Sequence, residues 1–117
     1  MKILIAEDEP IISYNLSLYL SEYGCEPIGP LHSVSETISV LRVTAIDAVI
    51  LDIRLRDGDA YSFASACHEN GTPVLVTTGT VVDPSKLPPN QTVLPKPYGF
   101  AEVRRFLESV AAHGVKL

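Results

Sequence analysis

The chain has 117 residues, 46% of them hydrophobic, with 9 lysines and arginines against 14 acids and a formal net charge of -5. That is one domain with enough apolar side chains for a real core, and its acidic balance argues against nucleic acid as the main partner, because nucleic-acid binders carry a basic face. No apolar stretch approaches membrane-spanning length, and the opening Met1-Lys2-Ile3-Leu4-Ile5-Ala6 is too short for a signal peptide, so neither a membrane nor an exported protein is expected and the compartment read here is the cytoplasm.

Residues 2–6 read as a short buried strand. Pro10 sits where a helix can begin. Ile12, Leu16, Tyr19, Leu20 and Tyr23 then recur at helical spacing, and Gly24 fits the stop. Ile11, Tyr14 and Leu18 make a second apolar stripe on that helix. Cys25 to Ile28 is a weak second strand, with Pro27 marking an edge. Ser33-Val34-Ser35-Glu36 has capping-box form and opens a second helix carrying Val34, Ile38 and Leu41. Residues 47–52 are the third strand. A loop with Asp57-Gly58 leads to a helix from about Asp59 to Asn70 that bears Phe63, Ala66 and Cys67 and stops at Gly71. Residues 73–77 and 92–95 are the fourth and fifth strands, and a final helix carries Phe100, Val103, Phe106, Leu107 and Val110. Over residues 79–91, three prolines and few helix formers argue against a full helix, so a loop or a single short turn is expected where a crossover helix would normally sit.

Strands alternating with helices imply an α/β fold: a doubly wound, five-stranded parallel sheet with right-handed crossovers and the strand order 2-1-3-4-5 of flavodoxin-like folds. In such a sheet the carboxyl ends of the strands share one edge, where ligands bind. Glu7 and Asp8 end the first strand, Asp52 the third and Thr78 the fourth, and Lys96 follows the fifth. The edge would therefore hold three carboxylates, a hydroxyl and an ammonium. The carboxylates would repel one another, whereas a bound Mg²⁺ together with Lys96 balances them. Hard cations of this kind take one or two carboxylates plus phosphate oxygens. A carboxylate such as Asp52 can serve as a nucleophile and form an aspartyl phosphate, with Thr78 and Lys96 contacting phosphoryl oxygens.

The segments Ile5-Ala6-Glu7-Asp8-Glu9, Leu51-Asp52-Ile53-Arg54-Leu55 with Asp57-Gly58, Thr78-Gly79, and Leu94-Pro95-Lys96-Pro97-Tyr98 resemble the receiver domain of two-component response regulators. The resemblance covers essentially the whole chain, in order. It implies that Asp52 is the phosphoacceptor, that Asp8 binds Mg²⁺ (or Mn²⁺) directly, that Glu7 holds the metal through water, and that the backbone carbonyl of Arg54 completes the ligands. It also implies a cis Lys96-Pro97 bond. The phosphodonor would be a histidine kinase or a histidine phosphotransfer protein, in a relay or a simple pathway. No enzymatic activity is implied beyond self-phosphorylation and self-dephosphorylation. Two places depart from the usual pattern. Val93 stands where receivers carry Tyr or Phe three residues before the lysine, and the region of the fourth helix is short and proline-rich. Both resemble a subset of receivers, mainly alphaproteobacterial, with an atypical fourth helix. The expected switch is therefore an ordering of residues 79–91 on phosphorylation.

Other readings stand beside this one. Glu7 and Asp8 could be helix N-terminal charges next to Pro10, Asp52 a strand terminator, Lys96 a surface lysine, and Thr77 rather than Thr78 the residue facing the pocket. The stripe of Ile11, Tyr14 and Leu18 is either ordinary exposed apolar surface, a dock for a phosphodonor helix bundle, or, with the final helix, a homodimer face. Asp57-Gly58-Asp59 lacks the ligand order of an EF-hand and reads as a turn and helix cap. His32, His68 and His113 read as surface groups. Cys25 and Cys67 make no metal motif and read as reduced thiols, with a disulfide as the alternative. One expected arrangement is a single receiver domain over residues 1–117 that signals through an unidentified output protein. The competing functional class is a binding module that uses the fold without phosphorylation. A flavodoxin-like carrier would need a Ser/Thr/Gly-rich loop after the first strand, and an aspartate-nucleophile phosphatase a second Asp two residues after the nucleophile. The chain has Glu7-Asp8-Glu9-Pro10 and Arg54 at those places.

Overall fold

A computed structural model describes residues 1–112. The chain alternates β1 (Lys2–Ala6), α1 (Pro10–Glu22), β2 (Glu26–Leu31), α2 (Val34–Val43), β3 (Ala48–Asp52), a two-residue ribbon of β4 (Arg54–Leu55) and β5 (Gly58–Asp59), α3 (Tyr61–Glu69), β6 (Val74–Thr78), β7 (Thr92–Pro95) and α4 (Phe100–Ala112). The main sheet is parallel throughout in the order β2-β1-β3-β6-β7. Setting the small antiparallel ribbon aside, this is the expected 2-1-3-4-5 arrangement.

Both faces of the sheet are covered, which is why β3 and β6 are buried at every position rather than at alternate ones, apolar until the polar residues at their carboxyl ends. Leu4, Ala6, Val49, Leu51 and Val76 point to one face and pack with α2, α3 and the 79–91 segment. Ile3, Ile5, Ala48, Ile50 and Leu75 point to the other and pack with α1 and α4. Phe63 of α3 is 1% exposed, so truncating it to alanine would cost about 3–5 kcal/mol. Tyr19 of α1 stacks on Phe100 of α4 with ring centroids 4.5 Å apart. Cys25 and Cys67 are buried, free, and on opposite faces of the sheet, which removes the disulfide alternative.

Several local expectations hold in detail. Ser33 caps α2, its hydroxyl accepting from the Glu36 N–H at 3.2 Å. Gly24 ends α1 with φ 94°, a conformation glycine adopts without steric cost. Between β6 and β7 there is a loop with one 3-10 turn at Pro84–Lys86 and no α-helix. Half-buried Val82 and Leu87 lie against the α2/α3 core where a crossover helix would otherwise lie, and Val93 packs into the same cluster. The segment is tied to α3 by the Asp83 N–H, which donates to the Tyr61 hydroxyl at 2.9 Å, and by the Lys86 ammonium 5.6 Å from the Tyr61 ring centre.

Two expectations change. β2 runs on to Leu31, three residues past Ile28. The strand crosses a register shift against β1 at Gly29, whose φ is 105° and where any Cβ would lie 2.8 Å from the Ile5 carbonyl oxygen. Only glycine fits there, so Gly29-Pro30 passes for a strand terminator in the sequence while being part of the strand. Asp57 is a helix cap, but of α2: its carboxylate accepts from the Val34 N–H at 2.7 Å and the Ser35 N–H at 3.3 Å.

Candidate functional site

The parallel register sets the site. Ala6 pairs with Leu51 and Asp52 with Thr77, while Thr78 pairs with Pro95. The residues that end these strands therefore come to one edge. Lys96 is the centre of what gathers there. Its backbone N–H donates to the Thr78 carbonyl at 2.7 Å, and its ammonium lies 2.8 Å from Asp52 Oδ2, 2.9 Å from Glu7 Oε1 and 3.2 Å from Glu9 Oε1. The following peptide, Lys96-Pro97, is cis. Asp52 and Glu7 are buried. The other Asp52 oxygen, Oδ1, accepts from the Arg54 N–H at 3.0 Å, which holds the Arg54 backbone against this carboxylate.

The electrostatics follow from burial and pairing. Burial pushes the Glu7 carboxyl above the ordinary carboxylate range, hydrogen bonds from the Glu9 N–H and Lys96 pull the other way, and the Asp52 charge adds to the rise. Burial works against the Lys96 charge, yet hydrogen bonds to Asp52 and Glu7 hold this ammonium above its ordinary value. It is charged at any physiological pH. Tyr98 closes the same side of the cleft, and burial with the nearby Glu7 charge pushes its hydroxyl up to about 12.

The other expected residues are placed differently. Asp8 is half-buried and turned away from Lys96, toward Arg56 Nη2 at 3.5 Å. The Thr78 hydroxyl donates to the Thr80 carbonyl at 2.7 Å and accepts from the Thr80 N–H at 3.0 Å, so it is engaged with the start of the 79–91 segment. Glu9, His32 and Arg56 are additions to the site. The His32 ring donates through Nδ1 to the Glu7 carbonyl at 3.0 Å, and the Arg56 N–H donates to the His32 carbonyl at 2.9 Å. His32 is thus the residue that follows β2, as Glu7 follows β1 and Lys96 follows β7, and it obeys the same strand-end rule. Its place was concealed by reading that strand as stopping at Ile28. His68 is exposed, as expected, and His113 lies outside the described residues.

Among the described residues no group of three His, Cys, Asp or Glu side chains is placed to hold a metal ion: Lys96 occupies the point shared by Glu7, Glu9 and Asp52, and Arg56 pairs with Asp8. The donor set nevertheless fits Mg²⁺ or Mn²⁺. It is all oxygen, it combines a half-exposed carboxylate with a buried one on neighbouring strands, and its charge is net negative. A small hard cation that keeps most of its waters needs only one or two carboxylates.

The family model for the response regulator receiver domain matches residues 3–88. Among solved structures, SdrG from Sphingomonas melonis Fr1 superposes with a TM-score of 0.81 at 30% identity, over 95% of this chain and 96% of that one. The receiver domain of the sensor histidine kinase PA1611 from Pseudomonas aeruginosa PAO1, described with a magnesium ion coordinated in its active-site cleft, has the same fold, with a TM-score of 0.82 at 21% identity over 95% of this chain and 97% of that one. The transcriptional regulatory protein LytR of Staphylococcus aureus N315 is 27% identical over 99% of this chain and 49% of its own length, so the chain spans about half the length of the curated relatives it matches. The match from residue 3 to residue 88 runs through the acids after β1, the aspartate ending β3 and the threonine ending β6, and the sheet brings those strand ends to the lysine that follows β7: the chain belongs to the response regulator receiver domain family.

Proposed function

We propose that the protein is a phosphorylation-dependent signalling switch whose acceptor is Asp52. The observation that carries this reading is the buried Asp52 carboxylate held 2.8 Å from Lys96 Nζ at the carboxyl edge of the sheet. The donor is a phosphohistidine on a histidine kinase or a histidine phosphotransfer protein. A carboxylate oxygen of Asp52 bonds to phosphorus as the P–N bond breaks, the imidazole keeps the electron pair, and an acyl phosphate results. Water later cleaves it and restores the carboxylate. Asp8, Asp52 and the Arg54 carbonyl would hold Mg²⁺ or Mn²⁺, with Glu7 behind a water. The cation, when bound, neutralises charge on the phosphoryl oxygens.

In this reading Lys96 exchanges its Asp52 contact for a phosphoryl oxygen, and the Thr78 hydroxyl leaves Thr80 to donate to another. Thr80 lies three residues before Asp83, which Tyr61 anchors, so this exchange pulls on residues 79–91 and changes the surface beside α3. The domain spans residues 1–117, works in the cytoplasm and signals or relays through protein contacts. The donor docks on the exposed Ile11, Tyr14 and Leu18 of α1, beside the acidic edge.

Incubating the protein with Mg²⁺ and acetyl phosphate should produce a retarded species on a phosphate-affinity gel, and Asp52→Asn should abolish it. Phosphate incorporation that survives in Asp52→Asn would move the acceptor elsewhere. Failure of the wild type to accept phosphate from either acetyl phosphate or a phosphorylated histidine protein would favour the phosphorylation-independent binding module.

A further inference from the structure

We infer that Arg56 is a built-in competitor of the metal: its guanidinium pairs with the Asp8 carboxylate and must be displaced before a divalent cation binds, so a residue outside the ligand set lowers the metal affinity of the site. The inference rests on the metal-binding reading above.

Four carboxylates stand at the cleft, Glu7, Asp8, Glu9 and Asp52. The ammonium of Lys96 contacts three of them. Asp8 is the one it does not reach, and Asp8 instead lies 3.5 Å from Arg56 Nη2. It is one of the two carboxylates that the proposed function gives directly to the metal, the other being Asp52, which Lys96 holds.

A pair between exposed side chains would ordinarily deserve little weight. Here the backbone of Arg56 is fixed from several sides. Its N–H donates to the His32 carbonyl at 2.9 Å. The preceding Leu55 is buried and pairs with Gly58 in the β4–β5 ribbon. The following Asp57 caps α2 through Val34 and Ser35. His32 in turn donates to the carbonyl of Glu7 at 3.0 Å, and Glu7 is the covalent neighbour of Asp8. A continuous path of bonds therefore runs from Asp8 through Glu7 and His32 to Arg56, and the ion pair closes it across the cleft. The scaffold presents the guanidinium to Asp8.

The choice of cation matters. A guanidinium does not lose its proton in a protein, so no pH in the working range relieves the competition. A metal must overcome both the lost pair and the repulsion from a fixed positive charge. The pair is part-exposed, which limits the effect to the range of surface ion pairs, about two- to fivefold in affinity.

The test is titration of MgCl2 into the 117-residue chain, without phosphodonor, by calorimetry at low ionic strength. Arg56→Ala should bind Mg²⁺ about two- to fivefold more tightly than wild type, and the gain should shrink in about 0.5 M NaCl as the charges are screened. Arg56→Lys, which keeps the charge, should stay close to wild type. Arg105→Ala makes the same change in net charge on α4, where Arg105 pairs with Glu102 and with none of the four cleft carboxylates among the described ion pairs, and should leave the affinity unaltered. The Arg56 Nε–H resonance of the wild type should shift with the same midpoint as the metal titration. Equal or weaker binding by Arg56→Ala, or an equal gain in Arg105→Ala, overturns the inference and leaves the phosphoacceptor reading standing. A wild type that binds no Mg²⁺ overturns both this inference and the metal site on which it rests.

Discussion

Lys96 shows how one residue organises the site. It is the only cation in contact with Glu7 and Asp52 among the described ion pairs, and its side chain is 10% exposed against 3% and 7% for theirs. Removing one partner of a buried pair leaves the other charge uncompensated. Lys96→Ala should therefore destabilise the protein by about 3 kcal/mol at neutral pH without Mg²⁺, the low end of the range for broken buried pairs because the Glu7 carboxyl, which burial already pushes up, can take a proton. Urea unfolding at pH 7 and again near pH 4 would measure it. The deficit should be smaller in acid, and a deficit equal at both pH values would mean that lost packing, not stranded charge, was responsible. The placement of this residue was legible in the sequence, since a lysine after a buried run and between two prolines has a fixed place. What the sequence could not show is which carboxylates it chooses. Glu9 sits in plain view after Glu7-Asp8, yet only the three-dimensional direction of the lysine makes it a partner and leaves Asp8 to Arg56. Likewise, the Thr78 hydroxyl is at the right strand end, but its bond to Thr80 depends on how the chain turns at Gly79.

At the scale of elements, the strands and helices with strong periodicity were readable because each buries a face. The single 3-10 turn replacing a helix was readable because proline forbids the alternative. What failed was the end of β2, where a glycine and a proline inside a strand look like a stop. The helix cap expected at Asp57 is present, but the helix it caps begins 23 residues earlier in the chain, a partner that spacing cannot show because it reveals only near neighbours. That cap carries a pH dependence. Hydrogen bonds from the Val34 and Ser35 N–H groups to the exposed Asp57 carboxylate hold it below the ordinary carboxylate range. A carboxyl depressed in the folded state adds stability that is present above its unfolded value and is lost as pH falls through the folded value. Asp57→Asn should thus be less stable than wild type at neutral pH, and the two should converge as pH drops from about 5 to about 2. Thermal unfolding across that range tests this, and a constant gap would count against it. The α1 stripe offers a different element-scale test. Tyr14 and Leu18 are exposed, at 68% and 48%, so changing both to serine should leave stability nearly intact. It should slow phosphotransfer from a histidine donor while sparing labelling by acetyl phosphate. Equal loss of both rates would argue against docking there.

For the whole molecule, the sheet has a tightly packed interior and a charged edge, and the two are in tension. The core clusters on both faces hold the strands in register, and that register forces four carboxylates together on a protein already at -5. Self-repulsion of this kind weakens the folded state. A ligand that binds only the folded edge should give stability back by mass action, because the unfolded chain scatters the same acids along its length. At tenfold over its dissociation constant Mg²⁺ would add about 1.4 kcal/mol, enough to raise the melting temperature of a domain this size by several degrees. Calorimetric or fluorescence melts with MgCl2, against NaCl at matched ionic strength, separate specific binding from screening. Asp8→Ala should melt no lower than wild type without Mg²⁺, since it removes a charge from a crowded edge, and should lose the Mg²⁺-dependent rise. If Asp8→Ala keeps the rise, the cation is held elsewhere. If Mg²⁺ and matched NaCl stabilise the wild type equally, the edge is merely screened, and the strand ends are not acting as a metal site.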